Sequence, residues 1–158
     1  MNLNEVQVAV RKWFEMRKWA PVFHSDQGYF EVGLLLKCSI SKARLIVHPK
    51  AGGCVLLLIP SVFCRVERQQ AMMRYLTLVN YGLLAGNFEM DLKDGEIRFK
   101  SFVECAGLRE LPPAILDFAL RRSCGAFQKF ADGLSDLLRV DGDLTADEAF
   151  AKIMGKGI

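Results

Sequence analysis

The sequence predicts an α+β fold in which helices cover an antiparallel sheet. Helical periodicity occupies both ends of the 158-residue chain and one segment in the middle. Period-two alternation fills the stretches between them, and short turns separate most of the predicted strands. Strands and helices that arrive in separate runs are typical of α+β proteins. The predicted order of elements is α-β-β-β-β-α-β-β-α-α.

The first predicted helix covers residues 3–19. Asn2 can cap it, Glu5 completes a capping box, and Pro21 stops it. Four strands follow, over residues 22–25, 29–37, 42–49 and 54–60. The last of these reads CVLLLIP and is apolar on both faces, which is typical of a strand in the middle of a sheet or under a partner.

The helical period returns near residue 67. The apolar stripe of this second helix is Met72, Tyr75, Leu76, Val79 and Leu83. We expect the helix to end at Gly86, because glycine takes a left-handed conformation without steric cost.

The segment after Gly86 predicts a hairpin with a two-residue type I′ turn at Asp94-Gly95. Its apolar face would pair Leu92 with Ile97 and Met90 with Phe99. Its polar face would pair Lys93 with Glu96, Asp91 with Arg98 and Glu89 with Lys100. Every polar pair joins opposite charges, which supports the register and argues against reading Glu89 and Asp91 as a hydrolytic pair.

The longest helix is predicted over residues 111–140, because two prolines suit its first turn and an apolar stripe continues to Leu137. A short helix should follow, with Thr145 and Glu148 as its capping box. We therefore expect one domain over residues 1–140 and a short helix and tail over 141–158.

Composition narrows the function classes. A net charge of +3 and a pI near 8.6 are too weakly basic to indicate nucleic-acid binding. The apolar runs fall short of the length of about 20 residues needed to span a membrane. With an odd number of cysteines and no signal-peptide pattern, the chain is expected to be cytoplasmic.

The sequence contains no recognisable catalytic or nucleotide-binding motif. His24 and His48 lie near strand ends, and their spacing supports no metal site. Cys105, beside Gly107, is the most plausible exposed thiol. We expect neither cofactor nor metal, and a protein that is not an enzyme.

The run from Arg68 to Phe99 resembles the YbjN-like family of small bacterial proteins. The residues that carry the resemblance are Asn80, Tyr81, Gly86, Phe88, Asp94 and Gly95. The order of elements also resembles the type III secretion chaperone-like fold, in which two copies often pair. The resemblance ends after Val140. It implies a candidate regulator of sensory transduction or a chaperone-like peptide binder, without established catalysis.

The leading functional hypothesis is a protein- or peptide-binding module that forms a homodimer. Its candidate contact residues are Val55, Leu57, Ile59 and Phe102. The alternative is a small-molecule or lipid-binding regulator with a pocket between the long helix and the sheet. Phe127, Phe130 and Met72 would line that pocket.

The residues Asn80, Tyr81 and Gly86 of the helix-to-hairpin segment have two interpretations. Asn80 can bond loop backbone, and Gly86 can reverse the chain so that Phe88 enters the core, which makes the segment a structural joint. Alternatively, Asn80 and Tyr81 line a ligand pocket. We favour the joint.

Overall fold

The computed structural model describes residues 1–139 and 141–155. Within these residues the chain forms four helices and six strands in the predicted order, so the predicted α+β fold is confirmed. The elements are α1 Leu3–Met16, β1 Val22–His24, β2 Tyr29–Leu35, β3 Lys42–Lys50, β4 Gly53–Pro60, α2 Val66–Tyr81, β5 Asn87–Met90, β6 Ile97–Glu104, α3 Pro113–Leu138 and α4 Ala146–Gly155.

The described strands form one antiparallel sheet with the order β1-β2-β3-β4-β6-β5. β4, the strand predicted to be central, lies between β3 and β6. Its apolar character on both faces agrees with that position, since a strand flanked on both edges tends to be buried.

The two faces of the sheet differ sharply. The inner face, represented by Leu45, Leu56, Leu58 and Phe99, is at most 1% exposed and packs with residues from all the described helices. The outer face holds the alternate residues, among them Val55, Leu57, Ile59 and Phe102. None of these outer-face residues belongs to either hydrophobic core, so the described elements form two layers with the sheet on one side.

Local signals account for where the helices begin. The Glu5 amide donates to the Asn2 side chain at 3.0 Å, and the Asn2 amide donates to the Glu5 carboxylate at 2.7 Å, which confirms the predicted capping box. α1 ends at Met16, earlier than predicted, because the chain turns at Lys18, whose φ is +55°.

α2 also ends earlier than predicted. Its four stripe residues up to Val79 are buried, but the helix stops at Tyr81 with Gly82 as its cap. Gly86 does take the predicted left-handed conformation, with φ of +74°. It uses that conformation to start β5 and not to close the helix.

The predicted register of the hairpin is wrong by two residues. Phe88 lies opposite Phe99, and Met90 lies opposite Ile97. The Asp91 amide donates to the Glu96 carbonyl at 2.9 Å, so the loop has four residues instead of two. The predicted charge pairs of Lys93 with Glu96 and of Asp91 with Arg98 are therefore not formed.

Side-chain bonds explain the longer loop. The Asp91 carboxylate accepts from the Lys93 amide at 2.9 Å, and the Asp94 carboxylate accepts from the Glu96 amide at 2.8 Å. Aspartates in such turns compete with cross-strand pairing. A shift of two residues keeps every side chain on its predicted face, because side chains alternate with a period of two.

The segment after residue 140 belongs to the same domain. Ala146, Ala149 and Ile153 are buried in the core that α2 and α3 share. Arg74 of α2 also binds Asp147 through two hydrogen bonds of 2.5 and 2.9 Å. The short helix predicted after residue 140 therefore forms and packs on this core; residue 140 itself and residues 156–158 lie outside the described residues.

Candidate protein-binding surface

Asn80 joins α2 to the hairpin through two hydrogen bonds. Its side-chain oxygen accepts from the Phe88 amide at 2.8 Å, and its side-chain nitrogen donates to the Phe88 carbonyl at 2.9 Å. The amide side chain thus pairs with Phe88 as a neighbouring strand would. Both of its polar atoms are used in the structural joint that the sequence predicted.

Gly86 allows a close approach at the same joint. A Cβ added there would lie 2.6 Å from the Phe99 ring and 2.9 Å from the Lys100 carbonyl oxygen. Phe88, two residues on, is 3% exposed and packs edge-on against Phe99 with ring centroids 4.9 Å apart. Gly86 therefore serves both the reversal of the chain and the packing of the sheet.

Two other motif residues have different surroundings. Tyr81 is 96% exposed, so it does not line a pocket with Asn80 as the alternative interpretation required. Gly95 has φ of +80°, and a Cβ there would collide with the Cys64 carbonyl. The hairpin loop containing Asp94 thereby packs directly on the segment that follows β4.

The candidate contact residues all lie on the outer face, but they differ in exposure. Val55 and Leu57 are half-buried, and Phe102, directly opposite Val55, is 56% exposed. Ile59 is only 4% exposed, so it offers almost no surface for contact. The outer face therefore has an accessible apolar centre at Val55, Leu57 and Phe102.

A chain of ion pairs crosses the outer face and explains why Ile59 is covered. Its nitrogen–oxygen distances range from 2.7 to 4.0 Å. In order across the sheet, its members are Glu31, Arg44, Glu96, Arg98, Glu89 and Lys100, and the His24 ring lies 3.6 Å from the Glu31 carboxylate at one end. Arg44 of β3 reaches over β4 to Glu96, and Ile59 is the β4 residue opposite Arg44. We call this row the ion-pair chain.

Glu89 is the acidic residue with the strongest contacts in that chain. Burial by itself would raise the pKa of Glu89, but hydrogen bonds from Lys100, Asn87 and Arg98 outweigh it and lower the pKa to about 2. The contacts with Arg98 and Lys100 are 2.9 and 2.7 Å long. The predicted contact of Glu89 with Lys100 thus forms, although diagonally across the strands.

Three of the five thiols are buried, those of Cys54, Cys64 and Cys105. Cys105, expected to be the most exposed thiol, is 1% exposed, because its side chain lies on the inner face of the sheet. Burial raises the pKa of Cys54 to about 12, and the thiol of Cys105 nearby acts in the same direction. The residues that the structure describes include no cluster of three or more potential metal ligands.

The three residues predicted to line a ligand pocket are interior instead, since Phe127, Phe130 and Met72 are core residues at most 5% exposed. Phe127 and Phe130 pack against the Phe88 ring with centroids 5.8 and 6.3 Å away. A groove between α3 and the sheet does exist, but near the other end of the helix. It has a volume of about 230 Å³ and is lined in part by Ile115, Phe118 and Phe102.

Sequence reasoning found the contact of Glu89 with Lys100 but missed the rest of the ion-pair chain, and it placed the groove beside α3 at other residues. Arg44 of β3 pairs with Glu96, which directly precedes β6, a strand that is not adjacent to β3, so no sequence spacing reveals that pair. Phe118 gave a weak signal, because it lies off the apolar stripe that buries Leu116 and Leu120. A large apolar side chain on the polar side of a helix indicates a possible contact surface.

Within the described parts of the chain, none of the helices combines the length and the hydropathy that a membrane crossing requires.

Comparison with known proteins shows a likeness in structure. No family model and no curated protein matches the chain. Among solved structures, the fold is similar to the crystal structure of YbjN from E. coli, described as a candidate transcription regulator. The TM-score is 0.58 at 8% sequence identity, over 77% of this chain and 85% of that one. The resemblance suggested by the motif is thereby confirmed as a shared fold, which by itself does not imply a shared activity.

Proposed function

We propose that this protein is a non-catalytic regulatory module that binds protein through the outer face of its sheet. The observation that carries the proposal is the uncovered apolar centre at Val55, Leu57 and Phe102, on the face opposite the described helices. An exposed apolar patch with a polar border is typical of interaction surfaces. The shared fold with YbjN, described as a candidate regulator, supports the regulatory part of the proposal.

A second copy of the chain is the proposed first partner. Acidic and basic side chains alternate along the ion-pair chain, from Glu31 and Arg44 on one side to Glu89 and Lys100 on the other. Under a two-fold rotation, such a border can place carboxylates of one copy against cations of the other. The apolar centre would then be covered by its own counterpart.

The non-catalytic part of the proposal is supported by how the motif is used. Both polar atoms of the Asn80 side chain form hydrogen bonds with the Phe88 backbone, and Gly86 packs against the Phe99 ring. All five cysteines are free thiols, in agreement with the proposed cytoplasmic location.

The test compares the mass of the native assembly for the wild type and two variants. We expect twice the chain mass of 17.8 kDa for the wild type at micromolar concentration. Leu57→Asp should fold, because its carboxylate would face solvent opposite Lys100, but should have the mass of one chain. Val66→Asp is the matched control, since Val66 is 73% exposed at the start of α2, away from the outer face.

Three results would contradict the proposal. A wild type that stays at one chain mass would remove the second copy as partner. A Leu57→Asp variant that keeps the doubled mass would move the interface elsewhere. A Leu57→Asp variant that unfolds, by circular dichroism, would show that the position is interior, because an unpaired buried carboxylate is not tolerated.

A further inference from the structure

β6 continues past the end of its neighbour β5. The pairing of the two strands stops where Asn87 lies opposite Lys100, whereas β6 runs on to Glu104. Over these last residues, β4 is the one strand among the described residues that pairs with β6. One edge of the sheet is therefore open between Lys100 and the end of β6.

Hydrogen bonds at both ends of β6 show which backbone groups face the opening. The Cys105 amide donates to Gly52 on the β4 side, and the Glu96 carbonyl accepts from Asp91 on the β5 side. Backbone groups of successive residues in an antiparallel strand point to alternate sides. Phe102 and Glu104 therefore direct their amide and carbonyl groups away from β4, into the opening.

The opening is the groove of about 230 Å³ between β6 and α3. Gly86, with its positive φ, turns the chain out of the line of β5, so that Ala85 and Gly86 form one end of the groove. Ile115 and Phe118 form the wall on α3. The space thus continues the line of β5 beside a strand edge.

The rim of the groove is apolar and unusually exposed. Phe118 and Phe102 are each 56% exposed. Both side chains line the groove, one from β6 and one from α3. Apolar side chains gathered at one place on a surface mark interaction sites.

The groove also carries a cation available for binding. The Arg122 guanidinium lies 5.3 Å from the centre of the Phe118 ring. Arg122 makes no ion pair with any residue in the described ranges. A carboxylate on a bound molecule would meet this cation beside an apolar wall.

We propose that the groove binds an extended peptide strand that pairs with the open edge of β6. The backbone of the peptide would bond to Phe102 and Glu104, in line with β5. Alternate side chains would enter the groove against Ile115 and Phe118, and a carboxylate of the peptide would pair with Arg122. Main-chain bonds supply affinity and side-chain pockets supply selectivity in such strand addition.

A separate peptide fits this edge better than β6 of a second copy. In the antiparallel register that sets the outward-facing backbone groups of Phe102 and Glu104 against those of the same two residues in a second copy, the second copy's Ala106 would lie opposite Lys100. Asn87 already occupies that place. Of the three residues at the apolar centre of the outer face, only Phe102 also lines the groove. Peptide binding in the groove therefore does not depend on formation of the proposed dimer.

Two variants at one residue separate strand pairing from charge. Glu104→Pro removes the backbone N–H that faces the opening but removes no hydrogen bond to β4. We therefore expect the free protein to fold, because proline is tolerated at strand edges. Glu104→Gln removes the charge and keeps the amide. The probe is a fluorescein-labelled peptide, Thr-Val-Thr-Val-Thr-Asp, and the control probe has the same side chains with N-methylated backbone amides.

Binding is measured by fluorescence anisotropy. We expect Glu104→Pro to bind the probe at least about ten-fold more weakly than Glu104→Gln, which loses the same charge, since one hydrogen bond is lost and a peptide carbonyl is left unpaired. The N-methylated probe should not bind. The proposal is overturned if the probe fails to bind the wild type at millimolar concentration, or if Glu104→Pro binds it equally well.

Hydrogen exchange tests the geometry independently of the probe. In the free protein, the amides of Phe102 and Glu104 should exchange quickly, while the Val103 amide, directed to β4, should be protected. Addition of the probe should protect Phe102 and Glu104. Slow exchange at both positions in the free protein would show that the edge is not open, and would also overturn the proposal.

Discussion

The joint at Asn80 can be tested by two substitutions at that one residue. Asn80→Ala removes the side-chain bonds to the Phe88 amide and carbonyl, which measure 2.8 and 2.9 Å. Phe88 is 3% exposed, so water cannot readily replace the lost partners. Each such bond contributes about 1 kcal/mol net, and leaving a buried group unpaired costs about 1–3 kcal/mol.

We therefore expect Asn80→Ala to lower the free energy of unfolding by about 2–3 kcal/mol. In a domain of this size, about 1 kcal/mol corresponds to a shift of about 2–4 °C in Tm. Urea unfolding followed by circular dichroism measures the change. Asn4→Ala is the matched control, because Asn4 lies exposed on α1, and it should change stability by less than about 0.5 kcal/mol.

Asn80→Asp adds a dependence on pH. Its ionised carboxylate can accept from the Phe88 amide but cannot donate to the Phe88 carbonyl, whereas the protonated form can donate. The protonated form is thus favoured in the folded state, so the stability of this variant relative to the wild type should improve as the pH falls below the pKa of that carboxyl. Asn80→Ala should show no such trend. A loss below about 0.5 kcal/mol for Asn80→Ala would refute the structural role of the joint.

Two further predictions concern α3 and the ion-pair chain. Gly133→Ala should lower Tm, because the added Cβ would collide with the buried Tyr75 hydroxyl and force repacking that costs about 1–3 kcal/mol. Gly125→Ala, which lies in open space on the same helix, should raise the free energy of unfolding by up to about 1 kcal/mol. Equal effects of the two substitutions in thermal unfolding would contradict this reasoning. The pKa of Glu89 is lowered to about 2, so its contribution to stability is present above pH 4.5 and is lost as the pH falls towards 2. Urea titrations should show that Glu89→Gln destabilises the protein near neutral pH and that this difference shrinks at pH 2; a difference independent of pH would show that the ion pairs are not responsible.

Much of the fold could be predicted because its signals are local. The Asn2–Glu5 capping box involves residues three positions apart, and the apolar stripe of α2 follows the helical period. The faces of the hairpin strands were also correct, since alternation along a strand survives a shift of two residues. Even the role of Asn80 could be inferred, because the bonds it makes span only eight residues.

The errors have a common origin in contacts between distant parts of the chain. The hairpin loop differs from the predicted turn because Gly95 packs on the Cys64 backbone and aspartates bond within the loop. The packing of the apolar side chains of α4 against α2 and α3 is likewise a contact between distant parts of the chain. Cys105 is buried because its strand directs it inward.

The sequence by itself determined which segments are helices and strands, which face of each strand is apolar, and how Asn80 holds the hairpin to α2. These properties depend on periodicity and on hydrogen bonds between residues close in the chain. Only the tertiary structure decided that the helices leave the outer face uncovered, that Arg44 reaches across β4 to Glu96, and that β6 extends beyond β5 beside Phe118. Exposure and groove shape are set by elements packing together over long sequence separations, and no local pattern encodes them.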